Sequence, residues 1–485
     1  MALFAACSRA PRGMERVAVL PFSNLTGDAQ LDWVTNGGPA ILAQELASGA
    51  HLLPQRASSV GTAALERATQ LLHCTFTRRG GALQIQYALE DAERHRMIAT
   101  GSVEGTALFA VSALARILDA DGARPFSTPN PDAAAAWGRG EFERAVTLDP
   151  DFGTALASWI AQTAQSGKPD LAMEMAGRAL ARASLRTPLD KAQIQLSYAT
   201  LRKDEVARAA ALTELARLAP HDTGPLLGLA AIEQQARKYP AAEELYRRVL
   251  AIDPGNAGAL NSLGYVEGEN GNLDAAKKSF EAYGQLPDQA VNSLDSLGEV
   301  YFMNGRFAEA EKYFAQVSAR DPNFLKGAPM MKAAYAHWLG GDLAGADVLM
   351  QKYLAFLAKQ NDPLAVWRQS VWLYATGRQE QAIAVLAQAP PDQAATMERQ
   401  RAVWRGETHV PDDLAKLRTV YQNTNPAADG LPRTLYAAAL VKAGKTDEAR
   451  ALLKLWPLPE SSSDSLLQSL VYPRYLELRK ALKIQ

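Results

Sequence analysis

Residues 443–446, Ala-Gly-Lys-Thr, end in the same way as loops that hold phosphate through backbone N–H groups. A loop of that kind needs another glycine five residues before Gly444, and Ala439 occupies that position. The segment also lies between two predicted helices, whereas a phosphate loop follows a strand. We therefore predict no nucleotide site here, and no other stretch indicates a cofactor.

Metal-binding residue types are sparse and poorly spaced. None of the six histidines follows another at the i, i+4 spacing that brings two imidazoles to one helix face. His73 adjoins Cys74 in a predicted strand, but neighbouring strand residues point to opposite faces and cannot readily share one ion. Cys7 and Cys74 are the only cysteines, which excludes a disulfide framework and a thiolate-only zinc site. We predict no metal site.

Catalytic patterns are missing as well. The chain contains neither the Gly-x-Ser-x-Gly turn of a serine nucleophile nor a Gly-x-Gly-x-x-Gly loop. Adjacent carboxylates such as Glu243-Glu244 fall on predicted helices, where pairing with arginines one turn away accounts for them. The only candidate acid–base residues in the N-terminal part are Asp28, Asp32 and His51. We assign no catalytic residue and expect a non-enzymatic protein, with an N-terminal enzyme as the weaker alternative.

Charge and hydropathy narrow the choice of partners. The 485-residue chain has a formal net charge of -1, with 48% hydrophobic and 21% charged residues, which are ordinary proportions for a globular protein. Such a balance provides no field that would gather nucleic acid. No apolar run approaches the roughly 18 residues that span a bilayer. We predict a protein or peptide partner, no nucleic acid and no transmembrane segment.

The first residues resemble a lipid-attachment signal. Met1 to Cys7 place small residues directly before a cysteine, as at the end of a bacterial lipoprotein signal. Residues 1–16 are then a signal-like tail or disordered tether, with Cys7 as the lipidation candidate. This interpretation predicts a lipoprotein of the bacterial cell envelope or periplasm. The alternative is a cytoplasmic protein with a disordered N-terminus.

Residues 17–121 differ from the rest of the chain. Short apolar runs separated by turn residues alternate with helical patterns, and Gly80-Gly81 marks a hairpin turn. The predicted strands are 17–22, 52–55, 71–78, 82–89 and 97–103, and the predicted helices are 33–50, 61–70 and 108–118. Strand, helix, strand and helix followed by a meander predict a small α/β domain.

The opening of this domain, Val17-Ala-Val-Leu-Pro-Phe-Ser-Asn-Leu-Thr-Gly-Asp28, resembles that of the TolB-like amino-terminal domain of bacteria. Residues 83–105 are similar to the closing hairpin of that domain. The resemblance implies association or sensing, beside an array of tetratricopeptide repeats. Residues 122–132, rich in Pro, Ser and Thr, are predicted to be the linker to that array.

Three stretches between residues 223 and 324 share one pattern at a spacing of 34 residues. Small residues recur where two helices must touch, and large residues recur where they fill the space between helices. The recurring sets are Leu226, Leu260 and Leu294; Leu229, Leu263 and Leu297; Ala230, Gly264 and Gly298; Ala242, Ala276 and Ala310; and Tyr246, Phe280 and Phe314. The pattern describes a helical hairpin that must stack on its neighbours to bury its apolar face.

This pattern resembles the tetratricopeptide repeat (TPR) family, most clearly over residues 223–324. Weaker units are predicted at 153–186, 187–220, 327–360, 363–390 and 432–458, with Gly341, Gly377 and Gly444 at the turns of the last three. The predicted fold is mainly α: a TPR-type α-α superhelical solenoid over residues 133–390, preceded by the small N-terminal α/β domain. Residues 391–485 are predicted to be degenerate repeat-like helices and a C-terminal cap.

In such an array the first helix of each unit lines a concave groove. The helical offset from the repeat leucines and turn glycines predicts ten partner-binding residues: Asn261, Tyr265, Glu269, Asp295, Glu299, Phe302, Tyr335, Trp338, Trp367 and Tyr374. One wall is acidic and amide-bearing and the other aromatic, which suits a peptide with basic and apolar side chains. The best-known clamps of the family hold a terminal carboxylate with Lys and Asn. No Lys is among the ten residues, so that ligand is not expected.

The sequence therefore predicts a non-enzymatic scaffold or adaptor that binds a protein or peptide in the groove, at the cell envelope if Cys7 is lipidated. The alternative of the same class is a cytoplasmic regulatory or sensory module derived from a larger signalling protein. Taken singly, the aromatic residues could instead belong to the core, and the acidic residues could lie on a merely solvated face.

Overall fold

The computed structural model describes residues 15–49, 52–65, 68–182, 185, 187–362, 365–389, 414–423, 430–454, 478 and 481–484. These residues form a six-stranded sheet near the N-terminus, followed by helices. They divide into two compact units, Met1–Ile232 with Glu244–Asn256, and Glu233–Glu243 with Ala257–Gln485. The predicted fold class, mainly α with a small N-terminal α/β part, is confirmed.

The sheet belongs to the first unit. Its strands are β1 (Glu15–Val19), β2 (Ser23–Asn24), β3 (Leu52–Arg56), β4 (Gln70–Arg79), β5 (Ala82–Asp91) and β6 (Arg96–Gly105). Their order is β3-β1-β4-β5-β6, with β1 parallel to β3 and β4 and with β4, β5 and β6 antiparallel. The two-residue β2 pairs with β4, and it was too short for the sequence to indicate. The predicted hairpin turn is confirmed, since Gly80 and Gly81 have φ angles of +55° and +89°, as such turns require.

Helices α1 (Trp33–Leu46), α2 (Val60–Leu65) and α3 (Ala107–Leu118) accompany the sheet. Val17 and Val19 share a buried core with Leu42 and Leu114 of α1 and α3, whereas Ala18 and Leu20 share one with Ala63 of α2. Side chains alternate along a strand, so β1 is covered on both faces. This explains why its sequence is continuously apolar.

Helices make up the rest of the first unit and most of the second. They are α4 (Pro131–Gly138), α5 (Phe142–Leu148), α6 (Gly153–Gln165), α7 (Pro169–Leu180), α8 (Pro188–Leu201), α9 (Glu205–Leu218), α10 (Thr223–Gln235), α11 (Tyr239–Ile252), α12 (Ala257–Glu269), α13 (Leu273–Gly284), α14 (Ala290–Met303), α15 (Phe307–Arg320), α16 (Ala328–Leu339), α17 (Leu343–Lys359), α18 (Ala365–Ala375), α19 (Gln379–Leu386), α20 (Leu414–Asn423), α21 (Gly430–Lys442) and α22 (Thr446–Lys454). Consecutive helices pack as pairs, for example α12 with α13 and α14 with α15. Each weaker unit predicted from the sequence contains one such pair.

Turn glycines join the helices of the weaker pairs. Gly341, Gly377 and Gly444 have φ angles of +106°, +81° and +75°, a region that residues with a Cβ rarely adopt. Ala346 and Ala382, five residues after the first two glycines, are fully buried where the second helix meets the first. The predicted turns are therefore confirmed. Residues 391–413 and 455–477, which belong to the stretch predicted to be degenerate repeat-like helices and a C-terminal cap, lie outside the described residues.

The small residues of the 34-residue pattern mark the closest helix contacts in the second unit. A Cβ built on Gly264 would lie 2.6 Å from Cζ of Phe280, and one built on Gly298 would lie 2.5 Å from Cε1 of Phe314. Both rings are fully buried. The ring of the second helix thus occupies the space that a side chain on the first helix would need, as the pattern predicts.

The first unit contains one extended core. It includes Val17 of the sheet, Phe126, and Ile160 and Ile194 of α6 and α8. Within the predicted linker, residues 126–128 are buried. The domain boundaries proposed from the sequence stay a prediction.

We expect Gly298→Ala to lower the free energy of unfolding by about 1–3 kcal/mol, because Phe314 is enclosed and cannot move aside without strain. The matched control is Gly177→Ala in α7, where the new Cβ would lie 3.7 Å from Tyr198, an ordinary contact distance. That control should gain roughly 0.5–1 kcal/mol from helix propensity. Urea unfolding followed by circular dichroism measures both, and similar shifts in the two variants would contradict the close contact.

Candidate partner-binding surface

All ten residues predicted to bind a partner lie on first helices of the second unit. They are Asn261, Tyr265 and Glu269 on α12; Asp295, Glu299 and Phe302 on α14; Tyr335 and Trp338 on α16; and Trp367 and Tyr374 on α18. We call these residues the first-helix surface. Their exposure divides them into two groups: Asp295, Glu299, Phe302 and Tyr335 are buried, and the other six are half-buried.

The two buried acids enclose a lysine that the sequence analysis did not identify. Asp295 and Glu299 are four residues apart and so lie on one face of α14. The Nζ of Lys332, on α16, lies 2.7 Å from Oδ2 of Asp295 and 2.6 Å from Oε1 of Glu299. Only 1% of Lys332 is exposed. Its Nζ also lies 5.5 Å from the centre of the Phe314 ring, a cation–π distance.

Burial and charge act against each other in this triad. Burial raises the pKa of Asp295, the charge of Lys332 opposes that rise, and the charge of Glu299 adds to it. Burial alone would lower the pKa of Lys332, but Glu299 and Asp295 outweigh it and the pKa lies above the ordinary 10.5. Lys332 therefore stays charged and compensates the buried carboxylates.

This geometry corrects the expectation of an exposed acidic wall, whereas the expectation that no terminal carboxylate is bound stays a prediction. The predicted acidic wall is largely internal, because Asp295 and Glu299 are buried and paired with Lys332; of the predicted acids, only Glu269 is half-exposed. A lysine is present among these helices, but the two carboxylates occupy it, so it does not offer an open site for a terminal carboxylate. Lys332 is a single charge within an otherwise apolar stretch of α16. A lone lysine in an apolar helix indicates a buried charge, and a buried charge is normally paired with an opposite one.

The predicted aromatic residues pack against buried clusters of the second unit. Tyr335 and Trp338 pack against Trp372, a residue that was not predicted, with ring centres 5.4 and 5.6 Å from its own. Burial raises the pKa of the Tyr335 phenol. Trp367 and Tyr374 pack on the Val371 and Leu386 cluster. Phe302 is fully buried beside Phe307.

Trp372 is held by a charged pair from the neighbouring helices. Its Nε1 donates to Oδ1 of Asp347 at 2.7 Å, and Arg378 donates to both oxygens of the same carboxylate at 2.8 Å. The Arg378 hydrogen bond holds the pKa of Asp347 below its ordinary value. This pairing fixes the Trp372 indole, which packs against Trp338.

The α12 residues present polar groups beside an aromatic ring. Tyr265 packs edge-on against Phe280 with ring centres 5.4 Å apart. Oδ1 of Asn261 accepts a hydrogen bond from Ser296 at 3.1 Å, and Oε2 of Glu269 accepts one from Gln234 at 3.4 Å. These contacts hold the three half-buried side chains of α12 against residues of α13, α14 and α10.

The acid–base candidates of the N-terminal part are engaged in structural contacts. Asp28 accepts hydrogen bonds from the Gln30 N–H at 2.9 Å and from Arg78 at 2.7 Å, which lower its pKa. Asp32 accepts a hydrogen bond from Asn24 at 2.7 Å. His51 and the lipidation candidate Cys7 lie outside the described residues.

The neighbouring residues His73 and Cys74, considered above as metal ligands, differ in exposure. Cys74 is buried, whereas His73 is partly exposed and lies 3.1 Å from Glu90, so the two neighbours do face differently. In the described ranges no group of three His, Cys, Asp or Glu residues is placed to hold an ion. Among the helices that the structure describes, none is long and apolar enough to cross a bilayer.

Comparison with known families supports the repeat assignment. A model described as a tetratricopeptide repeat matches residues 291–320, which correspond to α14 and α15. This match supports a TPR protein and, in general, a protein-interaction scaffold. No curated protein sequence matches the chain. The resemblance of residues 17–121 to a TolB-like domain stays a prediction.

Several solved structures are similar to part of the chain. A TPR protein from Parabacteroides merdae is 15% identical, covering 52% of this chain and 96% of its own, with a TM-score of 0.39. The MamA protein is 17% identical, covering 36% and 93%, with a TM-score of 0.31. A thermophilic TPR protein from Thermus thermophilus is 18% identical, covering 38% and 99%, with a TM-score of 0.28. The assignment of the fold therefore depends on the repeats and helix pairs of this chain itself.

We expect Lys332→Met to lower the free energy of unfolding by about 3–5 kcal/mol at neutral pH, because it leaves two buried carboxylates without a counter-charge. This loss of stability should grow as the pH rises above 3.8, the ordinary pKa of Asp. Above that pH the unfolded chain is stabilised by ionising its acids, whereas a buried acid with a raised pKa ionises less readily in the folded chain. Urea unfolding between about pH 4 and pH 8 measures this dependence.

Two controls accompany that measurement. The triple variant Asp295→Asn, Glu299→Gln, Lys332→Met removes all three charges and should recover most of the stability. Lys277→Met removes an exposed lysine that lies 3.8 Å from Glu281 and should cost less than about 1 kcal/mol. Equal losses in Lys332→Met and Lys277→Met would show that the buried triad is not as described.

Proposed function

We propose that this chain is a non-enzymatic scaffold that binds a protein or peptide partner on the first-helix surface. The observation that carries the proposal is that α12, α14, α16 and α18 are the first helices of consecutive helix pairs. A surface built from consecutive pairs suits an extended partner, because the partner can contact more than one first helix along its length. The tetratricopeptide repeat match at residues 291–320 supports the same class of function.

The half-buried residues are the ones that would contact the partner directly. Tyr265, Trp338, Trp367 and Tyr374 offer rings that are held at one side and accessible at another, the usual arrangement of interface anchors. Asn261 and Glu269 supply hydrogen-bonding groups. The buried residues of the first-helix surface fix the positions of the helices; they are Asp295, Glu299, Phe302 and Tyr335.

The chemistry of the partner follows from this division. Because Lys332 compensates Asp295 and Glu299, the surface is less acidic than the sequence suggests. We propose a partner segment with apolar side chains for the aromatic positions and hydrogen-bond donors for Glu269 and Asn261. A strongly basic peptide is not required.

A matched pair of double variants tests the surface. Glu269→Arg with Tyr374→Ser alters two half-buried residues of first helices, whereas Glu281→Arg with Tyr313→Ser makes the same changes on the second helices α13 and α15. Each full-length variant is used as bait in its native host, and captured partners are then purified for titration. We expect the first variant to weaken binding about tenfold or more and the control to bind like wild type.

Unchanged circular dichroism and unfolding must accompany the loss, so that misfolding is not mistaken for lost contacts. If the control variant loses the partner and the first-helix variant keeps it, binding uses the second helices and the proposal is wrong.

We also propose that Cys7 is lipidated and holds the scaffold at the cell envelope; the support is the sequence Met1 to Cys7 alone. A cytoplasmic regulatory module is the competing interpretation. Expression of the full-length gene with labelled palmitate should give a labelled, membrane-associated protein, and Cys7→Ser should abolish the label. Wild-type protein that stays unlabelled would leave the cytoplasmic interpretation.

A further inference from the structure

A large cleft opens within the first unit, far in sequence from the first-helix surface. Its volume is about 850 Å³, in the range of sites that enclose small molecules. The end of α1, the length of α3, residues 124–131 and the start of α8 line it. None of the residues predicted from the sequence to bind a partner lies there. We call it the α1–α3 cleft.

The walls of the cleft are mainly apolar. Leu108, Phe109, Phe126 and Leu218 line it together with four prolines, which have no N–H donor to satisfy. Phe109 is 57% exposed, an unusual state for a phenylalanine on a helix that otherwise packs on a sheet. Apolar surface that is open to solvent inside a concave site favours an apolar ligand.

Hydrogen bonds to a buried glutamate hold two walls of the cleft in place. Oε1 of Glu45, on α1, accepts from the Ser112 hydroxyl of α3 at 2.6 Å and from the Phe126 N–H at 2.9 Å. The Phe126 ring packs against Phe152 and Trp137 with ring centres 5.4 Å apart in both pairs. These contacts fix residues 124–131 against the two helices.

A second buried carboxylate anchors the opposite wall. Asp190, on α8, is fully buried and accepts hydrogen bonds from Ser127 at 2.8 Å and from Thr187 at 2.6 Å. Thr154 donates to its other oxygen at 3.1 Å. Protein hydroxyl groups therefore engage this acid, and the cleft is formed before any ligand enters.

The charge that faces the cleft is positive. Among the residues that the structure describes, Arg116 and Arg124 are its only ionisable lining residues, and no carboxylate lines it. Arg116 donates to the Ser112 carbonyl at 3.2 Å and Arg124 to the Asp121 carbonyl at 3.0 Å. The positive charge of Arg116 also opposes the rise that burial causes in the pKa of Glu45. Each guanidinium has five N–H donors, and the hydrogen bonds to the Ser112, Asp121 and Ala123 carbonyls use only some of them.

We infer that the α1–α3 cleft binds an amphipathic anion: a small molecule with an apolar body and one carboxylate or phosphate group. The body packs between Phe109, Phe126 and Leu218, and the anionic group accepts hydrogen bonds from Arg116 and Arg124. Guanidinium groups suit both acids because their paired donors match two oxygens. This inference is independent of partner binding on the first-helix surface.

Two fluorescent probes with the same aromatic body separate anion recognition from apolar binding. Full-length protein is titrated with 1-anilinonaphthalene-8-sulfonate and with its uncharged analogue N-phenyl-1-naphthylamine. We expect saturable binding of both, with the sulfonate bound more tightly. Laurate or dodecyl phosphate should displace the sulfonate, and dodecanol should displace it about tenfold less well, the factor that about one ion-paired hydrogen bond supplies.

Variants locate the site. Arg116→Gln with Arg124→Gln should weaken sulfonate binding about tenfold or more while leaving the uncharged probe unchanged. Phe109→Ser should weaken both probes. The matched control, Arg139→Gln with Arg144→Gln, removes two arginines that do not line the cleft and should bind like wild type. Equal loss in both arginine pairs, or dodecanol that competes as well as laurate, would overturn the inference.

Discussion

In two helix pairs of the second unit the helices come close together because a side chain is absent at the contact. At Gly264 and Gly298 the space that a Cβ would fill belongs to the rings of Phe280 and Phe314. This steric constraint sets the spacing within the pairs α12–α13 and α14–α15. The Phe314 ring also faces Lys332. The ring that packs between α14 and α15 therefore also contacts the lysine that links α16 to α14.

The buried triad of Asp295, Glu299 and Lys332 specifies how α14 and α16 pack together. Lys332 on α16 reaches both Asp295 and Glu299 on α14 and so links these two helices through buried charges. Breaking such a network is costly because the remaining charges stay buried. The residues that hold the helices together are thus different from the neighbouring residues that can contact a partner. Trp338 and Glu269 are among those that can contact a partner.

The first unit achieves its order in another way. Its sheet, α1, α3 and the later helices α6 and α8 share one apolar core, and two buried carboxylates, Glu45 and Asp190, bind the segment around Phe126. Polar side chains buried with their partners define unique positions more sharply than apolar contacts do. The result is a preformed cleft that Arg116 and Arg124 line.

The 34-residue pattern and the turn residues were sufficient to predict the helices, the Gly80-Gly81 hairpin and the glycine–ring contacts. Those features depend on spacing within one strand, one helix or one pair, which a sequence records directly. Only the tertiary structure decided that Asp295 and Tyr335 are buried, that Lys332 lies between two acids and that Arg116 and Arg124 share a cleft. Burial and ion pairing at these positions depend on how neighbouring helices are rotated, and residues 37 apart, such as Asp295 and Lys332, meet only once that rotation is set.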